Sequence, residues 1–191
     1  EAADASAARW KAGQPLSAID GMPVGIKDLL ETRDMPTQMG SEAYRGNFPK
    51  RDNAAVWALR QAGAVVLGKT VTTEMGGAQP GPTTNPFDQG RTPGGSSSGS
   101  AAAVAGVLVR TSIGTDTGGS IRSPASYCGV VGLKPTYERV PRAGVFPLSP
   151  SLDHVGPISA SVGEAALTLD AISDAAAASR LSEGLDGKRI G

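Results

Sequence analysis

Two glycine-serine clusters stand close together in the 191-residue chain: Gly94-Gly95-Ser96-Ser97-Ser98-Gly99-Ser100 and, further on, Gly118-Gly119-Ser120. Glycine lets backbone amides be approached closely, so a glycine pair before a serine presents a hydroxyl beside exposed N–H donors. Acyl transfer needs that combination, because a nucleophilic oxygen must attack a carbonyl while donors receive the charge that develops on the carbonyl oxygen. A glycine-serine segment can equally be a plain linker or turn. Against a linker stands the run between the clusters, Ala101 to Val109, which is small or aliphatic throughout and has to be buried.

A serine hydroxyl is a poor nucleophile until a base takes its proton. His154, the only histidine, lies in a loop-like stretch between prolines with no partner at a fixed spacing, and it reads as a structural or surface residue. Lysine is the other choice. Lys27 follows Met22-Pro23-Val24-Gly25-Ile26, and Lys134 follows the equally apolar Val130-Val131-Gly132-Leu133. A lysine buried among such neighbours loses proton affinity because desolvation penalises the ammonium, so either one is a candidate base. If the base does not reach the nucleophile, a second hydroxyl from Ser96, Ser97 or Ser98 can relay the proton. A third glycine pattern leads elsewhere. Gly63, Gly68, Lys69 and Thr70 fit the GxxxxGK[ST] phosphate loop letter for letter, but Ala64, Val65, Val66 and Leu67 between them want to be a strand, and no helix follows.

The elements that must position these residues are short. Residues 1–12 read as helix, Ile19 to Ile26 as an extended stretch delivering Lys27, and Glu31 to Phe48 as irregular. Asp52 is expected to cap a helix over 53–62, followed by a buried strand, Ala64 to Leu67. A turn-rich segment from Gly76 to Gly95 leads to the first cluster as a surface approach to a pocket. A helix over Ser98 to Val109, a strand over Thr111 to Gly114, a strand over Val130 to Leu133, a loop over Gly144 to Pro157 and a helix over Gly163 to Ala177 complete the pattern. Helix alternating with strand gives one α/β domain over 1–191. Both ends read as interior to a longer chain, with Gly187-Lys188-Arg189-Ile190-Gly191 standing where a further strand would begin.

Composition bounds the rest. Eighteen basic and 18 acidic residues cancel, without a basic stripe for nucleic acid or a polybasic patch for membrane. With 26 glycines, 14 prolines and 4% aromatics, the core must be aliphatic and the turns many. One cysteine, Cys128, excludes an internal disulfide, and one histidine argues against a transition-metal site. The default is therefore a neutral or small substrate, without metal, membrane or direct nucleic-acid contact, in a reducing compartment such as the cytoplasm; no cofactor is expected, and a homodimer is allowed.

The motifs together resemble the amidase signature enzymes, serine hydrolases with a Ser-cis-Ser-Lys triad. The resemblance runs from Gly21 to about Ala160 and rests on Gly-Gly-Ser-Ser-Ser-Gly-Ser, then Gly-Thr-Asp-Thr-Gly-Gly-Ser-Ile-Arg, then Gly-Leu-Lys-Pro-Thr in order. It implies a mixed β-sheet core flanked by helices, present here as an incomplete portion. It further implies Lys27 rather than Lys134 as base, Ser96 as relay with a cis Gly95-Ser96 peptide, and Ser120 as nucleophile. Thr117, Gly118 and Gly119, with Ser120, would form the oxyanion hole. Asp116 and Arg122 are expected to pair and brace the loop, and Met75, Gly76 and Gly77 to line what remains of the substrate pocket. The implied activity is hydrolysis of a carboxamide through an acyl-serine. The alternative within the family is the amidase subunit of a tRNA-dependent amidotransferase, which hydrolyses glutamine and passes ammonia to a partner. A non-catalytic binding relative is a more distant alternative.

Overall fold

The computed structural model describes residues 1–189. Five strands form one mixed sheet in the order β2-β1-β3-β5-β4. Strand β1 (Pro23–Lys27) lies between β2 (Val65–Thr70) and β3 (Thr111–Asp116) and is parallel to both. Strand β5 (His154–Ser159) runs antiparallel to β3, and the two-residue β4 (Val131–Gly132) closes the far edge. Helices cover both faces. The face carrying Val24, Ile26 and Ile113 packs against α2 (Ala54–Gln61) and α5 (Val162–Ile172). The other face, with Ile158, packs against α3 (Ser98–Ala105) and α4 (Arg122–Tyr127). Helix α1 (Ala2–Lys11) lies at the side, held by Arg9 Nε and Nη2 on Asp20 at 2.7 and 2.6 Å. Every fully buried large side chain except Lys27 and Asn53 is aliphatic, as the scarcity of aromatics requires.

Several expected boundaries move, each for a visible reason. The cap of α2 is Asn53, whose side chain accepts from Ala55 N and Val56 N, whereas Asp52 accepts from Arg33 N and faces the Arg60 guanidinium. Strand β2 continues through Gly68, Lys69 and Thr70, which pair with Gly25, Ile26 and Lys27 of β1. The lookalike phosphate loop is therefore a ladder strand paired to β1. Lys69 bonds Asp28 Oδ1, Leu30 O and Thr37 Oγ1 at 2.8 to 2.9 Å instead. Helix α3 stops at Ala105 because Gly106 and left-handed Val107 end it.

Strand β5 occupies part of the expected loop Gly144 to Pro157. Its glycine and proline hide any alternation, and β3 supplies its hydrogen-bond partners from Thr111↔Ser159 to Asp116↔His154. Helix α5 ends at Ile172, where extended Ser173 takes over, and Asp170 turns to accept Ala177 N and Ala178 N. Helix α4, with a proline in its first turn, carries no periodic signal and is absent from the sequence reading. Gly187 sits in a turn, while Ile190 and Gly191, on which the expected further strand depends, lie outside the described residues.

Candidate active site

Lys27 ends β1, the strand between β2 and β3. Its flanks, β2 and β3, shield it on both sides, and the helix layers close the faces, so its side chain is fully buried and is the largest such side chain among the described residues. Its Nζ lies 2.7 Å from Ser96 Oγ and 2.7 Å from Thr115 Oγ1. No carboxylate forms an ion pair with it among the described residues. Burial pushes the Lys27 ammonium down to about 7, with the more distant charges of Asp116 and Asp153 opposing the drop. A lysine so placed is substantially neutral near pH 7 and can accept a proton.

The first cluster reaches this lysine through an irregular backbone. Gly94 is left-handed and the Gly95-Ser96 peptide is cis. Of the three serines, Ser96 alone bonds Lys27. Ser97 is used by the backbone of β3, accepting from Thr115 N at 3.3 Å and donating to Thr115 O at 3.2 Å. Ser98 Oγ donates to Val71 O. Gly99 lets α3 start hard against Val71, with Gly99 N donating to Val71 O at 2.9 Å and no room for a Cβ. The two clusters meet directly, because Ser97 N donates to Ser120 O at 3.2 Å.

Ser96 and half-buried Ser120 line one crevice of about 290 Å³ together with Thr73, Gly77, Gly95 and Ser98. Its walls carry no charged side chain. Met75, expected on the wall, packs into the core instead. The loop bearing Ser120 is organised by Asp116. That buried carboxylate accepts from Gly119 N (2.9 Å), Ile121 N (3.0 Å) and Arg122 N (3.3 Å), and from Arg122 Nε and Nη2 at 3.1 and 2.9 Å. Burial alone would raise its pKa, but the Arg122 side chain and the N–H groups of Ile121 and Arg122 outweigh it and hold it below the ordinary carboxylate value. Gly119, at φ +133, is needed for this turn. Its amide serves Asp116, whereas the N–H groups of Gly118 and Ser120 donate to no protein acceptor among the described residues. Thr117 Oγ1 is tied to Asp153 Oδ1 at 2.6 Å.

The remaining candidates lie apart. Lys134 Nζ donates to Pro135 O and to His154 Nε2 (3.2 Å), and the His154 Nδ1–H donates to Leu152 O, so neither residue bonds a cluster serine. No sequence signal singles out Thr115 or Asp153, which the fold brings to Lys27 and Thr117. Thr115 lies 88 positions from Lys27, and only the parallel β1–β3 register, with Ile26 beside Ile113, brings them together. Among the described residues, no group of His, Cys, Asp and Glu is arranged to hold a metal, and no helix is long and apolar enough to cross a membrane.

The site thus sets a buried lysine against a hydroxyl on a glycine-rich loop, with a second hydroxyl in the same crevice, in a mixed α/β sheet flanked by helices. The sequence model of the amidase family matches residues 1–184, and the chain belongs to that family. It is 48% identical, over its whole length, to a glutamyl-tRNA(Gln) amidotransferase subunit of Anaeromyxobacter dehalogenans, of which it covers 42%. Among solved structures it matches the peptide amidase of Stenotrophomonas maltophilia with a TM-score of 0.85 at 41% identity, over 90% of this chain and 37% of that one. A vestigial protein complex connected with the origins of an s-triazine catabolic enzyme gives a TM-score of 0.92 at 40% identity, over 100% and 46%. The chain thus spans less than half the length of the relatives it matches.

These relatives correct the expectation about partners. A small amide alone, with at most a second copy of the chain, does not describe a group whose members are named as one subunit of an amidotransferase and solved as a protein complex. Balanced charge describes average composition, and a surface that docks another protein chain need not be charged.

Proposed function

We propose that the chain carries an amide-cleaving centre that works through an acyl-serine, within one catalytic domain. Neutral Lys27 accepts the Ser96 proton, Ser96 accepts that of Ser120, and the Ser120 oxygen bonds the amide carbon. The oxyanion would be held by the N–H groups of Thr117, Gly118 and Ser120, Gly119 being engaged by Asp116. As the C–N bond breaks, the proton returns along the same path to the leaving nitrogen. Water then adds to the ester and releases the acid and Ser120. The observation that carries this reading is the fully buried Lys27 at 2.7 Å from Ser96, in a site whose crevice also presents Ser120. Fluorophosphonate labelling with peptide mapping tests it: the probe should modify Ser120, and a Ser120→Ala protein retaining full amidase activity would refute it.

For the physiological setting, the favoured reading is a glutamine-hydrolysing subunit of a tRNA-dependent amidotransferase in the cytoplasm. It is supported by 48% identity to such a subunit over the whole of this chain. Ammonia would then pass to a partner chain rather than to solvent. Co-purification from native cells, followed by glutaminase assays with and without glutamate-charged tRNA, separates the readings. Stimulation by charged tRNA supports the amidotransferase, and efficient tRNA-independent cleavage of peptide or aryl amides by the isolated protein would instead establish a stand-alone amidase.

A further inference from the structure

Lys27 has two hydroxyl partners, and the proposed proton relay uses one of them. A neutral amine has one lone pair and two N–H bonds in a tetrahedral array. To act as a base towards Ser96 it must turn the lone pair to the Ser96 O–H, which sends an N–H towards the other partner. Thr115 Oγ1, at 2.7 Å, stands there. We propose that Thr115 is a positioning residue, accepting an N–H from Lys27 so that the lone pair is aimed at Ser96.

The threonine is itself fixed. It lies near the end of β3, it is buried, and its N–H and C=O are both bonded to Ser97 Oγ, the side chain next to Ser96 in the chain. The lysine partner and the relay are thereby held in one rigid frame. After proton transfer the same oxygen accepts from the ammonium, so it favours the charged lysine as the Ser120 oxygen becomes nucleophilic. The other charges near Lys27 are Asp116 on β3, Asp153 ahead of β5, and Asp28, which turns to Lys69 on β2; Arg122 on α4 is paired with Asp116. None of these changes when Thr115 is substituted.

The inference rests on Lys27 being the base. In the full-length protein, kcat and kcat/KM should be followed against pH for Thr115→Val, which keeps shape and removes the hydroxyl, and for Thr115→Ser, which keeps the hydroxyl. The valine variant should lose about tenfold or more in kcat, and its acid limb should move down by about one pH unit, because the ammonium has lost an acceptor. The serine variant should restore both. A folded Thr115→Val with wild-type kcat and limb would overturn the proposal, as would a folded Thr115→Ser as impaired as the valine variant. Should Thr115→Val not fold, Thr115→Ala is judged by the same two readouts. Lys27→Ala separates the levels: if it stays active, the base assignment itself fails, and if it is inactive while Thr115→Val is normal, the Thr115 assignment alone fails.

Discussion

Lys27 Nζ and Ser96 Oγ are 2.7 Å apart although 69 positions separate them in the chain. The contact exists because the buried strand β1 ends at Lys27 and the glycine-serine turn that carries Ser96 meets that end. Since burial brings the lysine down to about 7, kcat should rise with pH along an acid limb centred near 7, as the protonated lysine gives way to the base. Stability should move in the same direction. Between about 7 and the ordinary lysine value of 10.5 the unfolded chain binds more proton than the folded one, so folding strengthens as pH rises through that window. Urea denaturation at pH 7, 8.5 and 10 measures this. Lys27→Met should remove the pH dependence, abolish turnover and raise stability at pH 7 by ~1 kcal/mol, the usual sign of a site held against its own stability.

Ser96 and Ser120 share a crevice but should fail differently. Ser120→Ala removes the attacking atom and should eliminate both turnover and fluorophosphonate labelling. Ser96→Ala leaves the attacking atom without its relay, so turnover should fall by about a thousandfold. Labelling should persist at a correspondingly lower rate, seen as slow stoichiometric adduct formation by mass spectrometry.

Asp116 ties three backbone amides and Arg122 to one carboxylate. Asp116→Asn keeps one acceptor oxygen but turns N–H groups towards N–H groups, and it removes a negative charge that holds Lys27 up. Turnover should drop at least about tenfold, and the acid limb should shift to lower pH. Stability should fall by about 1–3 kcal/mol, a figure reduced by the exposure of the arginine. Because the Asp116 pKa is depressed, the wild-type advantage is fully present above the ordinary carboxylate value and is lost progressively as pH falls from there through the depressed value of the folded state. Thermal melts of both proteins at pH 7 and pH 3 check the sign.

The legible part of the molecule is the part written in local chemistry. Glycine pairs before Ser96 and Ser120 announce themselves, and the apolar run before Lys27 marks a strand whatever it pairs with. Resemblance to the amidase signature then selects one lysine of two. What stayed hidden depends on partners. Strand β5 contains Gly156 and Pro157 and has no alternation of its own; it is a strand because β3 and β4 accept it. Asn53 caps α2 rather than its neighbour Asp52 because Asn53 Nδ2 can also reach Ala143 O at 2.6 Å, a contact 90 positions away. Thr115 is one of several threonines until the register of β1 and β3 sets it beside Lys27.

That dependence of the site on distant packing can be tested at Gly99, which has no chemical role. A methyl group there would overlap Val71 N and lie 3.0 Å from Val71 Cα, both backbone atoms that cannot swing aside. Helix α3 would have to lift from the segment after β2, taking with it the Ser96-Ser97-Ser98 turn that precedes it and straining the Ser97 bonds to Thr115 and Ser120. Gly99→Ala should therefore cost about 1–3 kcal/mol in urea denaturation, against the small gain alanine normally brings to a helix interior. Turnover per folded molecule should fall as well, with the Ser120 labelling rate falling in parallel. A variant as stable and as active as wild type would show that the relay turn is held by its own sequence and not by the contact of α3 with Val71.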